Sequence, residues 1–214
     1  MEKLVATGQG NARVVRRTAR RAIAELVVTH GAGGGIDAPD LVRLSEDLPR
    51  TGITVSLVEM PWRVQGKKIA PRPAVIDETY RAVVAGLRPR TPFVLGGRSA
   101  GARSACRIGR DVGAAGVLAL AFPLHPPGKP EASRLPELLG AGVPALVVQG
   151  ERDPFGAPGE VPDDVEVVGV PGADHGLRVP ARRTPAAPLD QADALALVCQ
   201  AALEWVVREV AGNR

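Results

Sequence analysis

Phe93-Val94-Leu95-Gly96-Gly97-Arg98-Ser99-Ala100-Gly101 decides how this chain reads. Three apolar residues of strand character run into two glycines and a serine, and an Ala/Arg-rich stretch of helical character follows. The G-x-S-x-G pattern at 97–101 predicts a strand, a sharp turn and a helix, with Ser99 on the turn. Such a bend strains the serine backbone and brings strand and helix close together, so its neighbours must be small. The helix N-terminus behind the hydroxyl favours negative charge there. A tight glycine-rich turn carrying an incidental serine is the competing reading, and the rest of the chain has to decide.

Outward from this bend, short β-branched runs alternate with Ala/Leu/Arg-rich stretches. Strands are expected at 26–29, 53–59, 93–95, 116–121, 143–149 and 165–170. Helices are expected at 37–48, 75–87, 99–112 and 190–210, the first with Asp37 as cap and Pro39 in its first turn. Such alternation implies a mostly parallel, doubly wound α/β sheet with helices on both faces. The length of 214 residues suits one domain over 1–214. Only a short stretch separates the fourth and fifth strands, so no large cap domain is expected. Ligand sites in open α/β sheets lie beyond the carboxyl ends of the strands.

Three other groups sit at such ends. Glu151-Arg152-Asp153-Pro154 follows the strand at 143–149. A carboxylate there can hold a histidine ring in its useful tautomer, and Asp153 is the candidate, with Glu151 as competitor. Asp174-His175-Gly176 follows the strand at 165–170 and offers an imidazole that moves protons near neutral pH. Asp174 adjoins His175 too closely in sequence to bond its ring, and Asp163 and Asp164 precede the last strand. Thr29-His30-Gly31-Ala32-Gly33-Gly34-Gly35 follows the strand at 26–29. Acyl transfer creates an oxyanion, which needs preset N–H donors. Ala100, after the nucleophile, supplies one, and Ala32 is expected to supply the other, ahead of Gly33. His30 reads as a brace for this loop. The order Ser99, Asp153, His175 is the Ser…Asp…His order of one class of serine hydrolase. Trp62, Arg63 and His125 are candidate substrate-contacting residues, because each follows a strand end.

Composition narrows the alternatives. Hydrophobic residues make up 45% and aromatics only 3%, so the core must be built from Val, Leu, Ile and Ala, as buried parallel strands require. The net charge is +4, but the densest basic group, Arg13 to Arg21, holds no aromatic to stack on a base, and nucleic-acid binding is not expected. Two cysteines make no disulfide framework or metal spacing. No apolar segment follows Met1, and no run approaches a membrane span, so neither a signal peptide nor membrane association is expected. A cytoplasmic location is the resulting expectation.

His30-Gly31-Ala32-Gly33-Gly34, Gly96-Gly97-Arg98-Ser99, Phe122-Pro123-Leu124-His125-Pro126-Pro127-Gly128-Lys129-Pro130, Gln149-Gly150-Glu151-Arg152-Asp153-Pro154 and Gly172-Ala173-Asp174-His175 together show a family likeness. The chain resembles, over 11–210, the small α/β-hydrolases of the testis-expressed protein 30 and KAT8 regulatory complex subunit 3-like group. That group is distantly related to dienelactone hydrolases. The resemblance implies an α/β-hydrolase fold and a triad of Ser99, Asp153 and His175. It implies no substrate, and the group's relatives include scaffold proteins. Ala102 stands where a second glycine often follows Gly101, and the nucleophile is serine where dienelactone hydrolases use cysteine. The expected activity is hydrolysis of a small ester or thioester through an acyl-enzyme, with no metal or organic cofactor. A non-catalytic interaction module of the same fold is the alternative.

Overall fold

Eight strands form one sheet in the order β1-β2-β4-β3-β5-β6-β7-β8. The computed structural model describes residues 1–211. In chain order the elements begin with β1 (Glu2–Thr7), β2 (Gly10–Arg17), β3 (Ala24–Thr29), α1 (Pro39–Asp47), β4 (Ile53–Glu59), α2 (Pro61–Val64) and α3 (Pro73–Leu87). They continue with β5 (Phe93–Arg98), α4 (Ala100–Ile108), β6 (Gly116–Leu120), α5 (Leu135–Leu139), β7 (Ala145–Gly150), β8 (Glu166–Val170) and α6 (Gln191–Val206). A π-helical turn, Val207–Ala211, follows α6. Strands β3 to β8 pair in parallel, and β1 and β2 add an antiparallel hairpin at one edge. The mostly parallel doubly wound sheet read from the sequence is the fold, and the described residues form no large cap domain over it.

Side chains alternate across a strand, so each buried strand feeds two cores. Leu26 and Val28 of β3 pack under α1 and α6 with Leu41, Leu44, Val198 and Trp205. Val27 faces the other way, with Tyr80 and Val83 of α3 and Ala105 of α4. All six residues of β3 are buried, which explains the apolar run Leu26-Val27-Val28 at its centre. The Tyr80 hydroxyl lies 2.8 Å from the Val27 carbonyl and 2.7 Å from that of Gly96, beside the central strands. Burial raises its pKa well above the ordinary tyrosine value.

Several boundaries move. The helix expected to begin at Ser99 begins at Ala100, and it ends at Ile108 where a turn replaces the expected last residues. Helix α1 starts at Pro39, with Ala38 and not Asp37 in the capping position. Asp190 caps α6, its Oδ1 accepting from the Asp193 N–H at 2.9 Å. The larger difference is the β1–β2 hairpin, for which no strand is expected. Its Arg13 and Arg16 are not merely solvated. Arg13 pairs with Glu59 at 2.8 Å, and Arg16 pairs with Glu25 at 2.7 Å. Glu25 is only 1% exposed and also accepts from the Ser56 hydroxyl at 2.7 Å. The hairpin covers the β4 edge, which would otherwise present unpaired backbone groups.

Candidate active site

Strand β5 ends at Arg98, and the chain turns at once into α4. Ser99 sits on this turn with φ 53° and ψ −110°, a conformation side chains rarely adopt. Its N–H donates to the Leu120 carbonyl at 2.9 Å, which ties the bend to β6. A Cβ on Gly97 would lie 2.2 Å from the Gly101 carbonyl carbon, and one on Gly101 would lie 2.7 Å from the His30 carbonyl oxygen. Both positions therefore require glycine. Ala102 lies inside α4 and is fully buried, so its methyl group fits.

The loops after β7 and β8 converge on this serine. His175 Nε2 lies 2.9 Å from Ser99 Oγ. Its Nδ1 lies 2.7 Å from Asp153 Oδ2. A carboxylate only accepts, so Nδ1 carries the proton and Nε2 is the basic nitrogen facing the serine. The Asp153 side chain is buried and fully used. Its Oδ1 accepts from the Phe155 N–H at 2.8 Å, and its Oδ2 also accepts from Gln149 Nε2 at 3.0 Å. Phe155 stacks on the His175 ring with centroids 4.2 Å apart.

The rival acids have other tasks. Glu151 accepts from the Gly172 N–H, fixing the turn after β8. Asp174 accepts from the N–H groups of Gly176 and Arg178 and so shapes the loop that carries His175. Asp163 and Asp164 are exposed.

The glycine loop after β3 passes over the serine. A Cβ on Gly31 would come within 3.3 Å of Ser99 Cβ. The loop opens a cleft of about 580 Å³ lined by Gly31 to Gly35, Arg98, Ser99, His175 and Arg178. Ala32 lines this cleft, and Ala100 is the first residue of α4, where an N–H has no intrahelical acceptor. His30 lies behind the loop. The Met60 N–H donates to its Nε2 at 3.1 Å, so the proton is on Nδ1, 2.7 Å from the Gly31 carbonyl. Burial pushes its pKa below the ordinary histidine value.

The three residues expected at the substrate do not line this cleft. Trp62 lies on the short helix α2 and is turned inward, its ring edge-on to His30 at 5.2 Å. It lines a small separate depression with Lys67, Ile69 and Pro71 instead of facing the serine. Arg63 follows it and is also outside the cleft. His125 bridges the Pro126 carbonyl at 2.9 Å and Glu160 at 3.0 Å. The Pro126 carbonyl raises its pKa above the ordinary histidine value, and Glu160 adds to the effect. Its ring is a brace between two loops.

Two polar residues without a motif matter more. Gln149 is fully buried, and its Nε2 reaches the Phe122 carbonyl, the Gly156 carbonyl and Asp153 Oδ2. All three neighbours are acceptors, so only the amide nitrogen can face them. Arg98, the residue before the serine, donates from Nη2 to the His175 carbonyl at 2.9 Å. Its Nε lies 3.1 Å from Asp40 Oδ2 at the start of α1, and Asp40 is 1% exposed. Burial pushes the Asp40 carboxyl up, and the Arg98 charge pulls it back. One guanidinium thus ties the bend, the histidine loop and α1 together.

A serine, an imidazole and a carboxylate in one hydrogen-bonded line, on the loops of a parallel sheet, can be set against known proteins. Residues 22–207 match the family model described as an alpha/beta hydrolase domain. The chain belongs to the alpha/beta hydrolase family. Solved structures share its fold. An alpha-beta serine hydrolase homologue from Coxiella burnetii superposes with a TM-score of 0.72 at 16% identity, covering 94% of this chain and 96% of that one. A dienelactone hydrolase from Anabaena variabilis gives 0.71 at 18% identity, covering 98% and 97%. A serine hydrolase described as lacking a lid, from Xanthomonas campestris, gives 0.69 at 17% identity, covering 96% and 94%. Among the described residues of this alpha/beta hydrolase, no group of three or more His, Cys, Asp or Glu could hold a metal ion. No helix among them is long and apolar enough to cross a membrane.

Proposed function

We propose that this alpha/beta hydrolase cleaves a small carboxylic ester or thioester through an acyl-enzyme on Ser99. The observation that carries the reading is the Ser99–His175–Asp153 line, at 2.9 Å and 2.7 Å. His175 Nε2 takes the Ser99 proton as Oγ attacks the carbonyl carbon. Negative charge gathers on the carbonyl oxygen, which the N–H groups of Ala32 and Ala100 receive. Asp153 keeps the ring oriented and stabilises the imidazolium. His175 then gives its proton to the leaving oxygen or sulfur, and the acyl-serine remains. Water, deprotonated by the same imidazole, releases the acid and restores Ser99. These steps call for no metal or organic cofactor. The proposed partner is a small ester-like molecule in the cytoplasm, and neither nucleic acid nor membrane enters the reaction. The sequence motifs place the chain, in this proposal, beside the testis-expressed protein 30-like group.

Fluorophosphonate labelling with hydrolysis of p-nitrophenyl acetate tests this. Wild type is expected to label and to turn over, and Ser99→Ala to do neither. A correctly folded wild type that neither labels nor hydrolyses the ester overturns the proposal. It would leave a binding module built on a hydrolase fold.

A further inference from the structure

We infer that the two sides of Ser99 are chemically sorted: an apolar acyl chain enters a recess over α3 and α4, and a polar alcohol leaves through the glycine-loop cleft. The inference rests on the hydrolase reading and deepens it. The orientation follows from proton transfer. The leaving oxygen must take its proton from His175 Nε2, so the alcohol has to stand on the histidine side of the scissile carbon. That side is the cleft with His175, Arg98, Asp37 and Arg178 in its walls. With the carbonyl oxygen on the Ala32 and Ala100 N–H groups, the acyl chain must point the other way.

A second depression begins at those same two residues. It has a volume of about 480 Å³, and Ile69, Pro71, Pro73 and Ile76 make its apolar wall. Ile76 is buried on α3, whereas Ile69 is 85% exposed on the 65–72 segment. An isoleucine held in water at the mouth of a recess gives an acyl chain a surface to cover. Two cations border the recess: Arg103 of α4 is engaged by Glu137 at 2.7 Å and 2.5 Å, and Lys68 is exposed on the rim beside Ile69, so the wall that an acyl chain would cover is the apolar one. Each methylene covered should raise kcat/KM about two- to fourfold, the upper figure being the transfer value of about 0.8 kcal/mol per CH₂.

Two isomeric esters test the sorting, because they share size and hydrophobicity and differ only in which side carries the chain. Ethyl hexanoate is expected to be cleaved with a kcat/KM on the order of tenfold or more above that of hexyl acetate. Ile69→Asp, at an exposed position that leaves the fold intact, is expected to reduce that preference several-fold. Equal rates, a preference for hexyl acetate, or an Ile69→Asp variant with the wild-type ratio would each overturn the inference. Ser99 labelled by fluorophosphonate with neither ester cleaved would overturn it while leaving the hydrolase reading standing. Loss of labelling and of all esterase activity would remove both.

Discussion

Replacing Arg98 by methionine removes the guanidinium and keeps the length of the stem. The Asp40 carboxylate, 1% exposed and 3.1 Å from Arg98 Nε, then loses the cation it is paired with. Breaking a buried pair from one side costs about 3–5 kcal/mol. An independent ceiling comes from titration, since the orphaned carboxyl can escape by taking a proton. Relative to an ordinary value of 3.8, staying protonated in the folded protein at pH 7 costs about 4 kcal/mol, or about 1.4 kcal/mol per pH unit. The sign follows directly. In Arg98→Met the folded carboxyl titrates above the unfolded one, so the folded state binds more protons and the variant loses stability as pH rises from about 4. The deficit against wild type should therefore be largest near pH 7 and shrink at pH 5. Urea unfolding at both values measures it. Adding Asp40→Asn removes the buried charge and should restore most of the stability. It cannot restore the bond to the His175 carbonyl, so hydrolysis of p-nitrophenyl acetate should stay about 10- to 100-fold low in both variants. Equal urea midpoints for wild type and Arg98→Met at both pH values would refute the reasoning, as would a double variant no more stable than the single one.

Gly31→Ala places a methyl group 3.3 Å from Ser99 Cβ and should lower kcat/KM about tenfold or more with little change in urea midpoint; unchanged kinetics would mean the loop does not hold its place during turnover. His30, kept neutral by burial, binds its proton later in the folded than in the unfolded chain. Stability should therefore fall by about 1.4 kcal/mol per pH unit as pH drops below about 6.5, until the folded-state value is reached. His30→Gln should flatten that part of the urea-midpoint profile. Burial pushes the Cys106 and Cys199 thiols to about 12, so neither should react with a disulfide reagent at pH 8 until the chain unfolds; rapid labelling of the native protein would contradict their placement.

The strand-end residues were legible because their chemistry is local. A glycine pattern writes the bend around Ser99 into consecutive residues, and β-branched runs mark the strands that end shortly before Asp153 and His175. The β1–β2 hairpin was not, because β2 buries only Ala12 and Val14 among arginines whose partners, Glu59 and Glu25, lie on other strands. The supports of the site were hidden for the same reason. Nothing beside Gln149 in sequence says that three acceptors will gather around its amide, and nothing beside Arg98 points to Asp40. Trp62, Arg63 and His125 lie outside the cleft beside Ser99, because strand ends supply braces as well as contact groups. In α2, an inward-facing aromatic gains more from covering His30 than from meeting solvent.

The hydroxyl and the imidazole stand 76 residues apart along the chain, with β6, β7 and β8 laid down between them. A ribosome therefore delivers the proposed nucleophile long before its proposed base. A nascent chain that has reached β7 carries Ser99 without the imidazole it will face, whatever its sheet has already built. In the proposed mechanism competence arrives only when the loop beyond β8 docks, so a chain that stops between β8 and His175 would hold every strand of the sheet and lack the base.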